Sequence, residues 1–102
     1  MQEMLGINWV SVVVNKSLVV RETDNASLIK MPRKSGFNGF AFWFPKSLIQ
    51  EYNDYGIFLC TSYDSIYTIR KYGKGLYNQT ELLNEIKIDA KTLFEAIQSS
   101  NR

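Results

Sequence analysis

The sequence predicts an α+β domain, a mainly antiparallel twisted sheet of about six or seven strands with a short central helix and a C-terminal helix. Three observations predict it. β-Branched and aromatic runs are bounded by turn-forming residues, the segment from Ser65 to Tyr72 alternates along its length, and an apolar stripe at helical spacing follows Asp89.

From residue 7 to 14 the chain is apolar and β-branched. Val12, Val13 and Val14 in succession would lose rotamer freedom in a helix, so the stretch reads as a strand. Asn15, Lys16 and Ser17 form a turn, residues 18–22 a second strand, and Thr23, Asp24 and Asn25 another turn whose side chains bond their own backbone. Residues 26–31 make a third strand closed by Pro32, and together the three read as a meander. The loop over 33–39 carries two glycines, Gly36 and Gly39, free to adopt positive φ.

Residues 40–44 are the most aromatic segment, with Phe40, Phe42 and Phe44 on one face and Ala41 and Trp43 on the other. Two apolar faces predict a central strand covered on both sides. Pro45 suits the first position of a helix, and Leu48, Ile49 and Tyr52 share one side at helical spacing, which predicts the short central helix. Residues 57–62 and 65–72 then read as a hairpin across Tyr63 and Asp64, and residues 84–88 as a seventh strand. Asp89 is a natural N-cap for a terminal helix whose Leu93, Phe94 and Ile97 face the core. The junctions at Phe42 to Ile49 and Ile86 to Phe94 echo each other as a strand running into a capped helix.

A chain of 102 residues buries roughly 65% of its extended surface on folding, which supports one core and one domain over 1–102. With 45% hydrophobic and 22% charged residues it lies in the globular regime. No apolar run has the roughly 18 residues that span a bilayer, and the start at Met1 lacks a basic, then apolar, secretory signal. The single cysteine, Cys60, fits a reducing compartment and reads as a small, inert hydrophobe inside a strand. These features predict a cytoplasmic protein with no membrane partner.

There is no histidine, which removes the commonest general base and metal ligand and every Ser-His-Asp or Cys-His arrangement. The acids are scattered without the spacing of a metal-binding loop, and the glycine pairs 36/39 and 73/75 fit no phosphate-binding fingerprint. The expectation is a non-enzyme with no catalytic residues, no metal and no cofactor. A metal-dependent nuclease built on carboxylates brought together by the fold is the weakest alternative.

The net charge of +2 is small, but its distribution is uneven. Lys30, Arg33, Lys34, Lys46, Arg70, Lys71 and Lys74 face only Glu51, Asp54 and Asp64 within residues 30–74, a pattern that predicts one basic face. Cations interleaved with rings are the physical recipe for single-strand binding, because charge tracks the backbone and rings stack on bases of any sequence. The residues with that character are Arg33, Lys34, Phe37, Arg70, Lys71, Tyr72, Lys74 and Tyr77, in the loops 32–39 and 70–77. The competing structural reading places Phe37 and Tyr67 in the core and leaves the lysines to solvate. Trp9 and Trp43 read as core.

The stretch SGFNGFAFWFPKSLI at residues 35–49 and RKYGKG at 70–75, with abundant Lys, Asn, Ile and Tyr, resemble the small accessory proteins of phages and mobile elements of Gram-positive bacteria, anti-CRISPR proteins among them. The resemblance implies a non-catalytic inhibitor of a protein or nucleoprotein target, such as a CRISPR effector. A nucleic-acid mimic would be strongly acidic, so the implied action is blocking a protein surface or touching bound nucleic acid. The alternative is direct binding of single-stranded nucleic acid. An open-edged sheet also suits a homodimer.

Overall fold

The computed structural model describes residues 9–74 and 80–100. It contains two antiparallel sheets rather than one. β1 (Trp9–Asn15), β6 (Gly56–Ser62) and β5 (Ile49–Glu51) form the first, in the order β1-β6-β5. β2 (Val19–Glu22), β3 (Ala26–Lys30), β4 (Phe40–Pro45), β7 (Ile66–Lys74) and β8 (Thr80–Asp89) form the second, in that order. The one α-helix among the described residues, α1 (Ala90–Ser100), packs across β1 and the 3-10 turn Arg33–Ser35.

The arrangement follows from an internal duplication. Lys16-Ser17-Leu18 recurs as Lys46-Ser47-Leu48, an offset of 46 − 16 = 30 residues, and each triplet is a 3-10 turn. The preceding residues have nearly identical backbones, Asn15 at φ −65°, ψ 136° and Pro45 at φ −64°, ψ 133°. Asn15 stabilises its turn by accepting a hydrogen bond from Ser17 N at 2.9 Å, whereas Pro45 fixes φ through its ring.

The ladders repeat at the same offset. Val19 opposite Ile29 corresponds to Ile49 opposite Leu59, and Val14 opposite Ile57 to Phe44 opposite Ser27. β1 therefore pairs not with its own hairpin but with the hairpin of the second unit, and β4 completes the hairpin of the first. The units have exchanged their leading strands across a pseudo-twofold axis. Two backbone bonds obey the same axis, Lys16 N to Tyr55 O at 2.8 Å and Lys46 N to Asn25 O at 2.9 Å.

This exchange explains each departure from the predicted elements. Residues 46–52 form no helix, because the 3-10 turn Lys46–Leu48 delivers Ile49 to Glu51 directly into the ladder with β6, and Tyr52, meant for the buried stripe, is exposed. Tertiary pairing overrides the helical spacing. The meander fails because β1 lies beside β6. The hairpin across Tyr63 and Asp64 fails because β6 already has β1 on one side and β5 on the other, so β7 leaves to pair with β4 and β8. The echo between residues 42–49 and 86–94 is not structural, since one strand enters a 3-10 turn and the other an α-helix.

The inner faces of the sheets and α1 enclose one core. Phe44, fully buried, stacks on Tyr67 with centroids 5.4 Å apart and meets Phe42 and Phe94 at 6.3 Å and 6.0 Å. Tyr67 OH in turn donates to Thr61 Oγ1 of the other sheet at 3.1 Å. Asp89 caps α1, its Oδ1 accepting Thr92 N at 2.8 Å, and Leu93, Phe94 and Ile97 are buried as their spacing predicts. In the loop before β4, Gly36 and Gly39 take φ 87° and 93°, the left-handed region that a side chain disfavours.

Candidate binding face on the five-stranded sheet

In a strand that buries Phe40, Phe42 and Phe44, the intervening Ala41 and Trp43 must point the other way. β4 is consequently covered on one face only, and Trp43, predicted as core, is 37% exposed. Trp9 is also open, on the outer face of the three-stranded sheet beside a half-buried Cys60.

The ladder registers assemble the outer face around Trp43. Arg21 lies opposite Leu28 and Leu28 opposite Trp43, while Lys30, Ala41, Arg70 and Glu85 form a row across four strands. Thr68 stands opposite Lys87, and Tyr72, 51% exposed, opposite Leu82. A shallow cleft of about 320 Å³ runs over this face between Arg21, Leu28, Trp43, Thr68, Arg70 and Tyr72. With strands about 4.8 Å apart, Arg21 and Arg70, three strands from each other, are separated by about 14 Å across the sheet.

Four cations, Arg21, Lys30, Arg70 and Lys87, thus share a face with an exposed indole and an exposed phenol. The carboxylates there are engaged. Glu85 Oε1 accepts Arg70 Nε at 2.9 Å, and Asp89, at the corner, caps α1. Hydrogen bonds from the Thr92 side chain and backbone hold the Asp89 carboxyl below its ordinary value.

Of the eight residues that the sequence nominates, the structure brings Arg70 and Tyr72 into this face. Lys71 alternates to the opposite side, where its stem reaches Gly39. Arg33 and Lys34 are exposed on the 3-10 turn packed against α1. Phe37 is half-buried, edge-on to Phe40 at 6.0 Å, and serves the core. Lys74 ends β7, and Tyr77 lies outside the described residues. Sequence reasoning missed Arg21, Trp43 and Lys87, and counted Lys30 in the basic stretch without placing it at the site. Strand alternation, with Ile29 and Phe42 inward, was the signal for Lys30 and Trp43.

A second cleft, of about 460 Å³, lies on the pseudo-twofold axis between the edge strands β2 and β5. Two ion pairs span it, Lys16–Glu51 at 2.8 Å and Lys46–Glu22 at 3.0 Å. The lysines are repeat equivalents but the glutamates are one residue out of step. A bulge at Val20 absorbs the difference, placing Glu22 opposite Ser27 just as Glu51 stands opposite Ile57. All four charges of this cleft are satisfied within the chain.

Among the described residues no three His, Cys, Asp or Glu side chains gather as a metal site, and no helix is long and apolar enough to cross a membrane. The chain matches no family model, and no curated protein or solved structure is significantly similar to it.

Proposed function

We propose that this is a non-catalytic binding protein that engages single-stranded nucleic acid through the outer face of its five-stranded sheet. The observation that carries the reading is the convergence of Arg21, Lys30, Arg70 and Lys87 with exposed Trp43 and Tyr72 on that face. Cations attract phosphates irrespective of sequence, and flat rings accept unpaired bases, which a duplex keeps stacked within itself. The narrower reading of a phage or mobile-element inhibitor acting on a nucleoprotein such as a CRISPR effector rests on the sequence resemblance. In that case the same face would meet the nucleic acid of the complex, and Trp, Tyr and Arg also anchor protein interfaces.

Fluorescence anisotropy with a labelled oligothymidine tests the proposal. Affinity should fall as salt rises, with a log–log slope of about −2 if three phosphates are neutralised at roughly 0.7 each. Trp43→Ala should weaken binding by about 5- to 150-fold, the loss of one base–ring stack worth roughly 1–3 kcal/mol. A salt-independent signal, or equal affinity for a duplex of the same length, refutes the reading.

A further inference from the structure

Two sheets have four edges, and three of them are managed in a recognisable way. β2 and β5 are short strands clasped together by the ion pairs of the dyad cleft, and β1 lies against α1. β8 is different. It runs ten residues, Thr80–Asp89, without proline or glycine, and its ladder partner among the described residues is β7 alone.

The geometry points to β8 as a homodimer interface, pairing antiparallel with β8 of a second copy about a twofold axis through Ile86. This inference does not rest on the nucleic-acid reading, although Lys87 belongs to both. The occupant is specified by charge. Centred on Ile86, the register sets Glu85 opposite Lys87 of the copy, and Lys87 opposite Glu85 of the copy, so both ion pairs form at once. Lys87 makes no ion pair within the chain among the described residues, and Glu85 would then lie between Arg70 and the incoming ammonium. The same register sets Ile86 against itself and Asn84 against Ile88, all within the regular part of the strand. The irregularity in the β7–β8 ladder, where Leu83 is the extra residue, begins just beyond it. A parallel pairing in register would oppose Glu85 to Glu85 and is disfavoured.

Residues that face each other in a ladder point to the same side of the sheet, so the dimer joins two five-stranded sheets into one of ten strands. The Arg70 and Tyr72 of both copies then line one uninterrupted face. Ten strands is near the upper limit for an open twisted sheet.

Sedimentation equilibrium of the full chain without nucleic acid tests this, so its outcome is separable from the oligonucleotide assay. The expected result is a concentration-dependent approach to twice the chain mass of 11.8 kDa. Glu85→Lys and Lys87→Glu should each raise the dimer dissociation constant roughly tenfold or more, and the double swap should restore it, since two cross-strand pairs are first reversed and then re-formed. Lys87→Met, which keeps the stem and removes the charge, gives a milder loss should a charge reversal disturb folding, as judged by circular dichroism. A wild type that stays monomeric at high concentration, a dimer indifferent to both single swaps and to Lys87→Met, or a double swap that fails to restore association overturns the assignment.

Discussion

Replacing Ser27 by valine should stabilise the protein. Ser27 is 4% exposed at the floor of the dyad cleft, opposite Glu22 and Phe44 in its ladders, and its repeat equivalent is the buried Ile57. Its hydroxyl has no hydrogen-bond partner among the described residues. A buried hydroxyl left unmatched costs about 1–3 kcal/mol. Each added methyl group that is buried contributes about 0.8 kcal/mol. Ser27 borders an open cleft, which softens the penalty and gives room for the larger side chain, so a net gain of about 1–2 kcal/mol follows. At about 4–8 °C per kcal/mol for a domain near this size, Tm should rise by roughly 4–16 °C in a thermal melt followed by circular dichroism. The converse change, Ile57→Ser, should destabilise by at least about 2–5 kcal/mol, the range for truncating a buried isoleucine. A fall in Tm for Ser27→Val, or a tolerated Ile57→Ser, would refute the equivalence of the two positions.

Other perturbations separate core, cap and clasp. Phe44→Ala removes the ring at the centre of the aromatic cluster and should cost about 3–5 kcal/mol, read as a lower midpoint in urea; a midpoint shift below about 1 kcal/mol would contradict its central place. Asp89→Ala should lower Tm at neutral pH by removing the helix cap. Because the folded-state carboxyl titrates below its ordinary 3.8, the cap stabilises above that pH and is lost as pH falls further, so the gap between wild type and variant should close below about pH 3.8. A gap that widened in acid would reverse that sign. Glu22→Gln breaks one half-exposed ion pair and should cost less than about 1 kcal/mol in the same urea assay; a larger loss would make the clasp a principal support of the fold.

The departures from the predicted fold share a cause. The Lys-Ser-Leu triplet at 16–18 and again at 46–48 marked the duplication in the sequence, but propensity reasoning read the first copy as a turn and the second as the start of a helix. Pro45 encouraged that reading, since proline opens helices as readily as it fixes an extended corner. For the binding face, Arg70 and Tyr72 were legible because they alternate on a clear strand. Arg21 and Lys87 were not: the bulge at Val20 resets the alternation of β2, so Arg21 turns outward, and Lys87 joins the face through Thr68, a ladder partner distant in sequence.

Local chemistry in the sequence alone determined where most strands begin and end, the turns at Thr23 to Asn25 and at Gly36 and Gly39, the Asp89 cap with its buried stripe, and the one-sided burial of Phe40, Phe42 and Phe44. Only the tertiary structure decided that β1 joins the second unit's hairpin, that residues 49–51 are strand, and that the outer face carrying Trp43 stays open. The physical reason is that period-two alternation specifies which side chains share a face. Which faces are covered, and which strands are neighbours, depends on ladder pairings made across long stretches of chain.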